Sequence, residues 1–216
     1  ILRLSGHGWE FPVSMTSSLV GAILTRQGGN AKHTLPCNIF THSVALATWT
    51  RANTPRNTYK FLVCTSAASA GKLDVLQWAR ATGYPWTMDT CTAAAKGGYL
   101  AVLQWAHNNG CPWGPETCAA ASRHLHILQW ARANGCPWGE RTCSTAAVHG
   151  HLSALQWARA NGCPWDELTC SNAALGGQLP TLQWARANGG PWNTYACAFA
   201  ALNGHLTILK WLRANG

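Results

Sequence analysis

The chain has 216 residues, of which 16 are Lys or Arg and 7 are Asp or Glu, so its net charge is +9. Its hydrophobic content of 47% is ample for a folded core, and the absence of a long apolar run excludes a membrane-spanning helix. The basic excess favours an acidic partner, but with only 11% charged residues the chain is not a dense basic tail.

Residues 1–36 show no repeat pattern. Trp9, Phe11 and Val13 are apolar residues that can pack over a neighbouring helical repeat. We therefore predict that 1–36 form a non-repeat N-terminal segment, and a cap over the first repeat is one role for it.

From residue 37 to residue 216 the phrase L-Q-W-A-R-A-N-G-C-P-W recurs, complete at 128–138 and 155–165. Successive copies are offset by 25 or 27 residues, a period that is typical of a solenoid. We predict about seven repeats, of which the first, around Trp49, is degenerate and the last ends abruptly. Because the chain opens at Ile1 and stops in mid-phrase, we expect a fragment of a longer protein.

Each repeat contains two helical patterns. In one unit, Thr142 is placed to cap a short helix beginning at Cys143, and Gly150 is placed to end that helix. A second helix is predicted from about Leu152 to about Asn161, followed by a C-P-W loop in which proline discourages further helix. The fold class is therefore predicted to be all-α, a solenoid of helix–turn–helix repeats.

The tryptophans occupy two positions in the repeat. Those after Leu-Gln or Leu-Lys fall on the apolar arc of the second helix and are predicted to lie in the core. Those after proline either cover the edge of the next repeat or form an exposed ladder that stacks bases or grips a peptide. The arginine two residues after the helix tryptophan either complements the helix dipole or forms a basic stripe.

The cysteines form C-x6-C pairs such as Cys136 and Cys143, a spacing longer than structural zinc sites prefer. Tyr84 and Gly190 replace the loop cysteine in other repeats, which weakens a ligand role. The predicted state is therefore small buried thiols, without metal or cofactor, in a reducing intracellular compartment, cytoplasmic or nuclear.

Residues 150–163 resemble the second helix of an ankyrin repeat, and Ala146-Ala147-x-x-Gly150 matches the A-A-x-x-G of that family. The chain also resembles W-A-R-x-N-G-C-P-W ankyrin-like arrays of algae and large DNA viruses. The resemblance implies a rigid solenoid with a concave binding side. Two features depart from the pattern: Cys143 takes a leucine slot, and the 27-residue period implies a compact loop instead of the long β-hairpin finger.

The sequence offers no serine–histidine–acid arrangement, phosphate-binding glycine loop or paired carboxylates, so we predict a non-enzymatic protein. The predicted function is a monomeric scaffold that binds another protein through its concave face and inter-repeat loops. The alternative is nucleic-acid binding through the arginines and loop tryptophans. Partner contacts are predicted where repeats differ, at Met88, Asp89, Glu116, Glu140, Arg141, Thr145, Asp166, Glu167, Asn172, Thr194, Tyr195 and Phe199.

Overall fold

The computed structural model describes residues 62–215, residues 44, 47 and 48, and the backbone of two short strands. The strands β1 (Leu2–Arg3) and β2 (Glu10–Phe11) pair antiparallel. The prediction that 1–36 cap the array, and most of the degenerate first repeat, lie outside the described residues.

The chain divides into two compact units, Ile1–Trp86 and Thr87–Gly216. In the first unit, α1 (Val63–Ser69) packs against α2 (Leu73–Ala81). The second unit contains five further helix pairs. They are α3 (Met88–Gly97) and α4 (Leu100–Asn108), α5 (Pro115–Ala121) and α6 (Leu125–Ala133), α7 (Glu140–Val148) and α8 (Leu152–Ala160), α9 (Glu167–Leu175) and α10 (Leu179–Ala187), and α11 (Thr194–Leu202) and α12 (Leu206–Ala214). The predicted all-helical repeat fold is confirmed for the described helices.

The first helix of each pair begins earlier than the sequence predicted. α7 starts at Glu140, after Gly139 in an extended conformation, whereas the prediction placed the start at Cys143. Thr142 is therefore buried inside the helix and does not cap it. In the next repeat the residue at the position of Gly139 is Asp166. Asp166 caps α9, and its carboxylate accepts a hydrogen bond from the Leu168 N–H at 3.1 Å.

The turn between the two helices follows the predicted glycine chemistry. α7 ends at Val148, and Gly150 then takes a left-handed φ of 72°, a conformation that glycine adopts without steric cost. The shortened repeat lacks this glycine, and its first helix, α5, has 7 residues where α7 has 9. The 25-residue repeat is two residues shorter than the others. The two residues that it lacks, near Arg123, come from the end of the first helix and its turn.

Within the second unit, the first helices of neighbouring repeats pack directly against one another, whereas the second helices approach less closely. The first helices thus form one continuously packed layer of this unit, and the second helices form the other. Close approach depends on small residues: a Cβ on Gly176 would lie 1.9 Å from the carbonyl oxygen of Val148 in the preceding repeat. Leu128 and Leu155 of the second helices are fully buried between the layers.

The prediction that the helix tryptophans lie in the core was wrong. Each of the described ones is half-buried, whereas the leucine two residues before it is fully buried in the inner repeats. The reason is geometric, because Trp157 lies about 200° around the helix from Leu155, at the border of the buried side formed by Ala154, Leu155 and Ala158. The described helix tryptophans are Trp78, Trp105, Trp130, Trp157, Trp184 and Trp211.

Candidate partner-binding face

The repeated arginine and the two tryptophans form one connected row on the second-helix side. The guanidinium carbon of Arg132 lies 4.4 Å from the ring centroid of Trp138 in the loop that follows. Trp138 in turn meets Trp157 of the next repeat edge to face, with centroids 5.8 Å apart. The loop tryptophan therefore covers the edge of the next repeat, which confirms that interpretation over an exposed ladder.

The same arrangement recurs along the second unit. Arg159 lies 4.2 Å from Trp165, and Arg186 lies 4.3 Å from Trp192. Where histidine replaces arginine, the His107 ring stacks on Trp113 at 3.8 Å and keeps the row continuous. A cation over an indole face is an attractive contact, so the row stabilises the stacking of repeats.

The arginines also make a second internal contact. Nη1 of Arg132 donates a hydrogen bond to the carbonyl oxygen of Cys136 at 3.1 Å, and Arg186 does the same to Gly190 at 3.2 Å. These carbonyls follow the end of the second helix, where the helix dipole favours a cation. Each of these guanidiniums therefore has one face over an indole and one nitrogen on a carbonyl oxygen, while the side chains of Arg132 and Arg186 stay exposed.

The cysteines connect loops rather than forming a reactive centre. The Cys118 thiol donates to the carbonyl oxygen of Cys136 at 3.7 Å, and the Cys136 thiol donates to that of Gly114 at 3.4 Å. The first-helix cysteine thus meets the loop cysteine of its own repeat, not the C-x6-C partner considered from the sequence. The hydrogen bond to Cys136 and burial raise the pKa of Cys118, and burial raises the pKa of Cys170 to about 11.

The thiol prediction is confirmed for most described cysteines. Eight of the nine in residues 62–215 are buried and none of the nine is joined in a disulfide, whereas Cys197 in the last repeat is exposed. In the same residues, no group of three or more His, Cys, Asp or Glu side chains is arranged to hold a metal ion. None of the helices in these ranges has the length and apolar character needed to cross a bilayer.

The first helices leave one face uncovered, opposite the second helices. On α11, Tyr195 and Phe199 share this face, and their rings stack with centroids 5.9 Å apart. Residues at the same three positions of each first helix, spaced i, i+4 and i+7, form what we call the open face. From α3 to α11 they are Asp89, Ala93 and Lys96; Glu116, Ala120 and Arg123; Arg141, Thr145 and Val148; Leu168, Asn172 and Leu175; and Tyr195, Phe199 and Leu202.

Seven of the twelve predicted contact residues lie on the open face. The other five lie at the edge where the first helices begin: Met88, Glu140, Asp166, Glu167 and Thr194. Three of that edge group are carboxylates at positive helix ends, so the helix dipole is sufficient reason for their presence. The predicted residues therefore fall into two groups. Seven lie on the open face, and five lie at the edge, where the carboxylates stabilise helix ends.

The open face changes character along the array. Between α5 and α7 it is charged, and Arg141 pairs with Glu116 at 2.6 Å with both side chains exposed. On α9 and α11 it is apolar, with exposed fractions of 45% for Leu168, 58% for Tyr195 and 80% for Leu202. Exposed aliphatic and aromatic side chains grouped in this way are unusual on a surface that only meets water.

Leu168 and Leu202 were absent from the predicted set. For Leu168 the signal in the sequence is the i, i+4, i+7 spacing that joins it to Asn172 and Leu175. Placing the helix start at the cysteine hid this spacing, because Leu168 then fell in the loop. Leu202 has the same relation to Tyr195 and Phe199.

No protein-family model and no curated protein matches the chain. The solved structures similar to it include the pentatricopeptide repeat protein PPR10 in complex with an 18-nt psaJ RNA element, and a cysteine-to-serine variant of that complex. Each match has 14% sequence identity, covers 92% of this chain and has a TM-score of 0.40. The chain spans 33% of the length of these proteins.

The described chain is a helical-repeat array. That statement follows from its own helix pairs and their packing. Because the sequence identity is only 14%, the RNA in those complexes does not indicate what this chain binds. The finer resemblance of the array to ankyrin repeats stays a prediction.

Proposed function

We propose that this protein is a non-enzymatic scaffold that binds another protein through the open face of its first helices. The observation that supports this most directly is the exposed apolar group at Leu168, Tyr195 and Leu202. The positions of the open face differ from repeat to repeat, whereas the stacking residues are repeated. Residues that do not pack between repeats can differ from one repeat to the next and so fit one partner.

Contact with a protein accounts for this surface better than contact with nucleic acid. Stacking on bases needs accessible aromatic faces, and the second unit's loop tryptophans that follow a second-helix arginine are covered by that guanidinium. Trp138, for example, has Arg132 on its face and Trp157 at its edge. The exposed leucines of the open face offer nothing that distinguishes a nucleotide, but they fit apolar side chains of a protein.

We further propose that the array is ankyrin-like, with the long finger shortened to a loop. The order of short helix, left-handed glycine, second helix and loop supports this, as in α7, Gly150 and α8. In this proposal residues 1–36 precede a repeat domain at 37–216, and one chain suffices to present the binding face. The buried thiols support a reducing compartment.

The experiment is affinity capture with matched leucine variants. Leu168→Ser removes an apolar side chain from the open face, where it is 45% exposed. Leu206→Ser makes the same change at the start of α12, a second helix, where the side chain is 59% exposed. Partners retained by the wild type and by Leu206→Ser, but lost by Leu168→Ser, are the expected result.

Circular dichroism of both variants controls for folding. An identical set of captured proteins for all three chains would count against the open face as the binding surface. Loss of partners with both variants would show that a general change in surface hydrophobicity, not this face, controls the capture.

A further inference from the structure

Charge is segregated between the two edges of the second unit. Every acidic residue of this unit lies in the loop or the first turn that begins a first helix: Asp89, Glu116, Glu140, Asp166 and Glu167. The opposite edge, where the first helix turns into the second, carries no carboxylate in residues 87–215. Positive charge at that edge therefore has no local counter-ion from the described chain.

Basic side chains collect at this turn edge in three successive repeats. We call the following residues the turn-edge cluster: Lys96 after α3; Arg123, His124 and His126 around the turn after α5; and His149 and His151 after α7. Lys96, His126 and His149 are exposed, and the other three are half-buried. The cluster is thus reachable from solvent across its whole length.

The side chains of the cluster contact each other across repeats. A guanidinium nitrogen of Arg123 makes a short hydrogen-bond contact with Nε2 of His149. Nε2 of His124 lies 3.3 Å from the carbonyl oxygen of Lys96, to which it donates. Because a guanidinium can only donate, Nε2 of His149 accepts in this contact, and its imidazole is neutral there. The two contacts hold groups from three repeats close to the cations Lys96 and Arg123, which attract an approaching anion.

We propose that the turn-edge cluster is the site where the array binds an acidic segment of its partner protein. This inference rests on the proposed function, because it specifies the chemistry of part of that partner. Charge complementarity assigns the occupant: the cluster supplies positive groups without carboxylates, and a run of Asp or Glu supplies the missing anions. The segment would lie along the edge of the open face.

The repeat spacing fits a peptide in the polyproline II conformation. Neighbouring packed helices lie about 8–10 Å apart, and a polyproline II chain advances about 3.1 Å per residue with three residues per turn. Three residues of the segment therefore span about one repeat. Acidic side chains at every third position lie on one side of such a chain and can reach Lys96, Arg123 and His149 in turn.

The number of fixed charges favours a peptide over nucleic acid. The cluster contains one lysine and one arginine, Lys96 and Arg123, and its other four members are imidazoles. Binding to a nucleic-acid backbone typically draws on about six to ten phosphate contacts. Two fixed cations with nearby imidazoles match a segment with a few carboxylates.

Binding should strengthen as the pH falls. Burial, the positive charge of Arg123 and the neighbouring His124 lower the pKa of His151, and burial, Arg123, His151 and Lys96 lower that of His149. His126 is the neighbouring imidazole on the side of α6, and the following repeat contributes the neutral Gln178 over Gly150. A bound carboxylate favours the imidazolium and raises these pKa values, so protons are taken up on binding.

The test uses the full chain and a fluorescein-labelled twelve-residue peptide with Asp at every third position and Ser elsewhere. The control peptide has Asn in place of Asp. We expect the Asp peptide to bind at least about tenfold more tightly at low salt, and about threefold more tightly at pH 5.5 than at pH 7.5. The Asp side chains stay ionised at both pH values, so the change reports the histidines.

Matched variants locate the site. Arg123→Gln should weaken peptide binding by about fivefold or more, whereas Arg213→Gln, the same change at an exposed arginine in the last turn of α12, should change it by less than about twofold. His149→Gln should reduce the pH dependence and leave binding at pH 7.5 nearly unchanged. Because His149 is exposed, this variant stays informative even where Arg123→Gln affects folding.

Three results would overturn the proposal: equal binding of the Asp and Asn peptides, equal effects of Arg123→Gln and Arg213→Gln, or tighter binding of a twelve-nucleotide single-stranded RNA than of the Asp peptide. If the Asp peptide fails to bind while Leu168→Ser still abolishes partner capture, the acidic-segment inference falls and the proposed function stands. If the peptide binds through Arg123 but Leu168→Ser keeps all partners, the open face is not the binding surface.

Discussion

Removing one loop tryptophan from the middle of the array should uncouple the repeats on either side. Trp138 contacts Arg132 of its own repeat on its face and Trp157 of the next repeat at its edge. Trp138→Ala removes both contacts together with the apolar surface that the half-buried indole covers. Trp138→Phe keeps an aromatic ring at the same place.

The expected loss follows from three contributions. A half-buried tryptophan covers about 100 Å² of surface, worth about 2.5 kcal/mol at about 25 cal/mol per Å². The edge-to-face pair adds about 0.5–1.5 kcal/mol, and an exposed cation over the ring adds about 0.5–1 kcal/mol. We therefore predict a loss of about 4 kcal/mol for Trp138→Ala and about half of that for Trp138→Phe.

Urea unfolding followed by circular dichroism measures these losses. In a repeat array that stacks through nearest neighbours, a broken interface should also turn one transition into two, because the repeats before and after it unfold separately. A double-mutant cycle with Arg132→Gln isolates the cation–ring contact, which should couple by about 0.5–1 kcal/mol.

A coupling energy below about 0.3 kcal/mol would refute the stabilising role of the arginine over the indole. A loss below about 1 kcal/mol for Trp138→Ala, with a single transition, would refute the importance of the tryptophan row for stacking. The arginine stripe would then again be free for a role in binding.

Three further predictions concern other parts of the second unit. The last repeat lacks a following neighbour in the structure, and Leu209 is half-buried where Leu155 is fully buried, so amide hydrogen exchange at Leu209 should be at least about tenfold faster. Equal protection of the two amides would contradict this. Cys197 is exposed, so iodoacetamide should label it before the eight buried thiols of residues 62–215, as mapped by mass spectrometry, and simultaneous labelling would show that those thiols are not held inside. Gly176→Ala should lower the free energy of unfolding by about 1–3 kcal/mol because its Cβ meets the backbone of the preceding repeat, whereas Gly139→Ala, with no atom within 4 Å of the new Cβ, should change it by less than about 1 kcal/mol.

The binding face was found in part from the sequence. Thr145, Asn172 and Phe199 were identified because they vary at a fixed distance from the repeated cysteine. Leu168 and Leu202 were not in the predicted set. For Leu168 the reason is that the predicted helix began three residues too late, which placed Leu168 in the loop and hid its i, i+4, i+7 relation to Asn172 and Leu175. The error has a local cause: Thr142 is a good cap residue by type, but Gly139 is the residue that takes the extended conformation.

The sequence by itself determined the period, the helix pairs and the left-handed turn at residues such as Gly150. These features depend on local chemistry, namely apolar spacing along a helix and the backbone freedom of glycine. The contacts of Arg132, Trp138 and Trp157 were decided by the tertiary structure, because two of these residues lie in one repeat and the third in the next. The same holds for Arg123 and His149, which meet only because two turns are stacked, 26 residues apart in the chain.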